Sequence, residues 1–139
     1  MLDLTTPQLA SRAFYDAFMR RDLDAMMAVW SKEPDTVCIH PMSDRLVGRA
    51  AIRNSWREIF LHAPEIAFRN RGSRIVTGTD LALETVLEVI HLHGQERAQP
   101  AMAASNAFRR EESGWRMILH QAGPMGEQAE EPVGGHAVH

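Results

Sequence analysis

The spacing of apolar residues changes once along this chain, at Pro64, and that change restricts the fold more than any other feature. Before it, the spacing is helical. Thr6 followed by Pro7 is a helix start, because proline's missing N–H costs nothing in a first turn. Ala10, Ala13, Phe14, Ala17 and Phe18 then form one stripe, with Arg12 and Asp16 expected to pair at i,i+4 on another face. Asp22 caps a second, short helix carrying Leu23, Met26, Met27 and Trp30, and Ile52, Trp56, Ile59 and Phe60 mark a third. One strand, "TVCIH" at residues 36–40, interrupts the helices. After Pro64 the period is two: residues 65–78, 80–94, 97–112 and 115–121 read as strands parted by turn signals such as "TGTD" and "ESG". Long adjacent strands with short connections imply an antiparallel sheet, so the order predicts an α+β domain with three helices packed on one sheet face.

At 139 residues the chain has the length of one domain. Residues 125–139 are rich in Gly, Pro and Glu and nearly free of large apolar groups, so the domain is expected over 1–124 and a disordered tail beyond it, with no role for His136 or His139. No apolar run approaches the ~20 residues of a membrane span, and the N-terminus has no secretory pattern. With one cysteine, Cys38, no intrachain disulfide can form, which suits a reducing compartment; a cytoplasmic location is expected. A formal charge of −3 gives phosphate backbones no global attraction, and the short basic run at residues 69–74 reads as a solvated strand face, so neither a nucleic-acid nor a membrane partner is expected.

Three groups of residues invite chemistry. On "TVCIHP", alternation puts Cys38 and His40 on one face, but side chains two apart on a strand are separated by roughly 6.6 Å, beyond hydrogen-bond reach, so a Cys–His nucleophile is not expected. Cys38 reads as a small buried hydrophobe and His40 as a pocket or core histidine. In "HLH", His91 and His93 share a face at a spacing that metal sites use, yet no carboxylate stands where a third ligand is wanted, and no metal or other cofactor is expected. Glu84 and Glu88 flank Val86 on one strand face, which reads as a solvated or dimer-facing surface.

The stretch "AFYDAFMRRDLDAMMAVWSKEPDTVCIHP" resembles the opening of the SnoaL-like, ketosteroid-isomerase-like superfamily that includes nuclear transport factor two. "LVGRAAIRNSW" resembles the start of its third helix and "NAFRREESGWRMILHQAGP" its last hairpin, so the likeness runs from about Thr6 to Pro124. It implies a cystatin-like roll: three helices on a strongly curved, mostly antiparallel sheet that forms a conical pocket. It also implies roles. The steroid isomerases use a tyrosine, a protonated aspartate and an aspartate base. By the family's spacing those positions fall on Phe14, Asn106 and His40, so steroid isomerase activity is not expected. His40 is expected to serve as general base or anchor and Asn106 to orient a carbonyl or hydroxyl, with Phe14, Trp30, Trp56 and His120 lining the pocket.

Two functions follow from the resemblance. One is a small lyase, cyclase or isomerase acting on a small apolar or carbonyl-bearing molecule through His40. The other is a non-catalytic binding or association module. In either case the resemblance implies a homodimer through the open sheet face, where Glu84, Val86, Glu88 and Ile90 are expected to lie.

Overall fold

The computed structural model describes residues 2–126. Residues 127–139, most of the expected tail and both of its histidines, lie outside the described residues. Helix α1 (Pro7–Arg20) starts where Thr6 accepts a hydrogen bond from the Leu9 N–H at 3.1 Å, with Pro7 in the first turn, and stops where Arg21 turns left-handed. Asp22 caps α2 (Leu23–Val29) through the Ala25 N–H at 3.0 Å. After β1 (Val37–Ile39) and β2 (Leu46–Val47) comes α3 (Arg49–His62), then β3 (Ile66–Phe68), β4 (Arg71–Thr77), β5 (Leu81–Glu88), β6 (Ile90–Leu92), β7 (Met102–Glu111) and β8 (Gly114–Pro124).

The main sheet runs β2-β1-β8-β7-β5-β4, and β3 pairs with β6 in a small second sheet. The α+β class and the three helices are as expected. The main sheet is mostly antiparallel, as the resemblance implied, but β1 lies parallel to β8, which makes it mixed. The run 80–94 also breaks at Val89, so its end leaves the main sheet to pair with β3. On α1, Asp16 pairs with Arg20 at 2.9 Å rather than with Arg12, the arrangement in which the acid precedes the base and both suit the helix dipole.

The concave face of the sheet packs on the helices. Phe14, Trp56, Phe108, Met26, Ile52 and Met117 are fully buried there. Phe14 meets Tyr15, Phe18 and Trp56 edge-on at centroid distances of 4.8, 6.2 and 5.5 Å, the geometry that aromatic quadrupoles favour. Among β5 residues, Ala82, Glu84, Val86 and Glu88 point into this core, while Leu81 and Leu83 point out and are more than half exposed. The expected outward placing of Glu84, Val86 and Glu88 is therefore reversed. Both faces of β5 carry apolar residues, so alternation alone did not choose between them; hydrogen bonds from α1 and β7 to the two glutamates decided it.

Candidate functional site

Strand register builds the site. Glu84 of β5 pairs with Asn106 of β7, Asn106 with His120 of β8, and His120 with Cys38 of β1. Side chains opposite one another on adjacent strands share a face, so four polar or sulfur-bearing groups form one row across the concave sheet. All four are buried.

Hydrogen bonds tie the row to α1. Asn106 Nδ2 donates to Glu84 Oε1 at 3.0 Å and to the Tyr15 hydroxyl at 3.1 Å, and His120 Nδ1 lies 2.7 Å from Asn106 Oδ1. Tyr15 donates to Glu88 Oε2 at 2.6 Å. Glu84 also accepts from Ser11 at 2.7 Å and from Ser73 at 2.6 Å. A buried polar network is stable only when its members are satisfied, and this one is nearly closed.

His40 stands at the other end, just past the last paired residue of β1. Its Nε2 is 2.9 Å from Ser55 Oγ of α3, and its ring meets Trp56 edge-on at 4.8 Å and lies 6.5 Å from the His120 ring, centroid to centroid. Cys38 Sγ is 3.6 Å from the same nitrogen. The expected separation of the two side chains is thus corrected: freed from the ladder, His40 leans back along the strand. The pair is still no nucleophile, because burial pushes the Cys38 thiol up to about 12 and keeps it protonated.

Burial sets the charge states of the rest. It lowers His40 to about 4, and it lowers His120 to about 3 with help from His40, so both imidazoles are neutral near pH 7. Burial, reinforced by Glu84, raises Glu88 to about 7 against the pull of the Tyr15 hydroxyl. The Tyr15 phenol is driven well above its ordinary value by burial and by Glu88. Asn106 passes hydrogen bonds but carries no titratable proton, so it separates an imidazole pair from a carboxyl pair. The carboxyl end opens on a cleft of about 540 Å³ between α1 and β4, with Tyr15 and Glu84 in its wall and Met19, Phe68, Ile75 and Val86 as apolar lining.

The structure gathers five of the six expected site residues: His40, His120, Asn106, Phe14 and Trp56. Trp30 is not among them; it is buried beside Met117 and makes no ring contact with the group. Asn106 cannot orient a substrate as expected, since both its N–H groups are taken. Phe14 supplies a wall, and the hydroxyl comes from the next residue. Tyr15 is thus the residue that sequence reasoning left out, while Glu84 and Glu88, which it set on an outward face, belong to the site. A signal existed in Ser11 and Tyr15, one helical turn apart on a face otherwise apolar. His91 and His93 belong to a different place, the β3–β6 ladder, where His93 lies 3.8 Å from Glu65. Among the described residues no three His, Cys, Asp or Glu side chains are grouped to hold a metal, and no helix is long and apolar enough to cross a membrane.

A curved mixed sheet closed over three helices, with a buried polar row on its concave face, defines an α+β cystatin-like roll. Residues 9–125 match the SnoaL-like domain, and the chain belongs to that family. A solved structure from Thiobacillus denitrificans, provisionally described as a calcium/calmodulin-dependent protein kinase type II association domain, is 38% identical, with a TM-score of 0.85 over 88% of this chain and 98% of that one. Another, from Streptomyces avermitilis and provisionally described as a dehydratase of the NTF2-like family, is 29% identical, with a TM-score of 0.79 over 86% and 94%. An NTF2-like protein of unknown function from Pseudomonas putida shares the fold at 19% identity and a TM-score of 0.75, over 84% and 82%. No curated protein matches the chain.

Proposed function

We propose that this chain is a small-molecule acid–base enzyme of the lyase or isomerase type, in which His40 moves the proton. The observation that carries this reading is the pair of neutral histidines, one half-buried and one fully buried, held by side-chain hydrogen bonds inside an aromatic enclosure. A neutral imidazole can take a proton from carbon beside a carbonyl, and apolar walls strengthen each interaction by excluding water. The proton then returns to another carbon in an isomerisation, or leaves with a β-hydroxyl as water in an elimination. The relative described as a dehydratase supports the second course. His120 and Asn106 act behind His40, and the cytoplasm is the compartment in which Cys38 stays a thiol.

The test is to incubate the protein with a panel of β-hydroxy ketones in deuterated water and follow loss of water and deuterium uptake by NMR. Turnover that His40→Gln abolishes, with the fold retained by circular dichroism, is the expected result. No exchange and no dehydration across the panel would refute the enzyme reading.

The second reading, a dimeric binding or association module, is favoured by the relative described as an association domain and by the outer sheet face, where Val76, Leu81 and Leu83 stand exposed. We propose that this face, rather than one bearing Val86, pairs two copies, since a contiguous apolar face is costly to leave wet. Leu83→Glu should convert a sedimenting dimer to monomer; a natural chain that is monomeric at micromolar concentration would refute it.

A further inference from the structure

The protons on the two histidines follow from what surrounds them. Ser55 has one hydroxyl proton, and Oγ lies 2.7 Å from the Ile52 carbonyl, which can only accept. Toward His40 Nε2, Ser55 Oγ must therefore accept, so Nε2 carries the hydrogen and Nδ1 holds the lone pair. At the other ring the order is reversed. The Glu84 carboxylate fixes the nitrogen end of the Asn106 amide, which turns Oδ1 to His120. An amide oxygen only accepts, so His120 carries its hydrogen on Nδ1 and keeps the lone pair on Nε2.

Among the described residues, nothing hydrogen-bonds His120 Nε2, and His40 Nδ1 has only the Cys38 sulfur, 4.0 Å away. The ring cluster also holds an orphan donor: Trp56 Nε1, buried without a partner, on a ring 4.8 Å from that of His40 and 6.1 Å from that of His120. The Cys38 thiol, held protonated, is the donor in reach of His40 Nδ1, so one free acceptor, His120 Nε2, and one free donor, Trp56 Nε1, remain, and these match a hydroxyl, which donates once and accepts twice. A ketone oxygen would leave the His120 lone pair unmet.

We infer that Ser55 and Asn106 are positioning residues that hold His40 and His120 in opposite tautomers, so that the site receives the hydroxyl of its substrate rather than the carbonyl oxygen. The tautomers stand on the hydrogen bonds alone; the ligand class rests on the functional reading above.

Long-range ¹H–¹⁵N correlation of the imidazoles at pH 7 in the free, full-length protein tests the first part, with resonances assigned through His40→Gln and His120→Gln. The expected result is an Nε2–H ring at His40 and an Nδ1–H ring at His120. Ser55→Ala should turn His40 into an exchanging mixture with His120 unmoved, and Ser55→Thr should restore the single tautomer. A residue that only packs would lower Tm without moving the tautomer. His40 protonated on Nδ1, or a tautomer mixture at either ring of the natural protein, would overturn the assignment. Millimolar cyclohexanol and cyclohexanone test the second part: the alcohol should shift His120 Nε2 and the ketone should not. A shift with the ketone alone, or with neither probe, overturns the ligand class while locked tautomers stand. The tautomer measurement needs no ligand, so its failure is distinct from failure of the enzyme reading, which deuterium exchange decides.

Discussion

Glu88→Gln should change the pH dependence of stability in one direction only. Glu88 sits 3% exposed against the Tyr15 hydroxyl, and its carboxyl rises from 4.5 to about 7 in the folded chain. Between those values the folded chain holds a proton that the unfolded chain has released, so stability falls as pH rises through that window and levels off above it. The span corresponds to ~3 kcal/mol. His40 and His120 act in the opposite sense. Lowered from 6.5 to about 4 and about 3, they stay neutral while the unfolded chain protonates, so their contribution is lost as pH falls below 6.5. The natural protein should therefore be most stable near pH 6.5. Glutamine resembles the protonated acid and still accepts from Tyr15, so at pH 4.5 the variant should match the natural protein within ~1 kcal/mol. By pH 8 it should be more stable by ~3 kcal/mol. Urea unfolding at half-unit steps from pH 4.5 to 8.5 measures the difference directly. A difference that stays constant with pH would show that Glu88 ionises as freely when folded as when unfolded, and the account of its burial would fail.

Iodoacetamide should leave Cys38 unmodified at pH 8 and label it fully in guanidinium, as followed by mass spectrometry, because the buried thiol is held at about 12. Trp56→Ala should cost roughly 4 kcal/mol in urea unfolding, since a fully buried ring that packs on Phe14, Phe18 and His40 leaves a cavity. Gly114→Ala should lower stability by on the order of 2 kcal/mol, because the new Cβ would lie 2.9 Å from the Leu4 carbonyl oxygen at a φ of 126°; a Tm unchanged within a degree would contradict it.

The sequence by itself determined the elements. Helical spacing before Pro64 and alternation after it specify three helices and a sheet, because those periods follow from backbone geometry within a few residues. It also pointed to His40, through a strand that ends in an ionisable ring before a proline. Only the tertiary structure decided which face of β5 is inside, since both faces offer apolar residues and the choice lies in hydrogen bonds from Ser11, Tyr15 and Asn106. His120 is the clearest case. Counting by twos from the buried Trp115 and Met117 would turn it outward, but a bulge in β8, opposite Ala107 and Phe108, inserts one residue and brings His120 and Ala122 inward. The row from Glu84 through Asn106 and His120 to Cys38 exists only once β5, β7, β8 and β1 are in register, and register joins residues up to 82 positions apart in the chain. Local periodicity reports which side chains share a face of one element; only the packed sheet brings four such faces together.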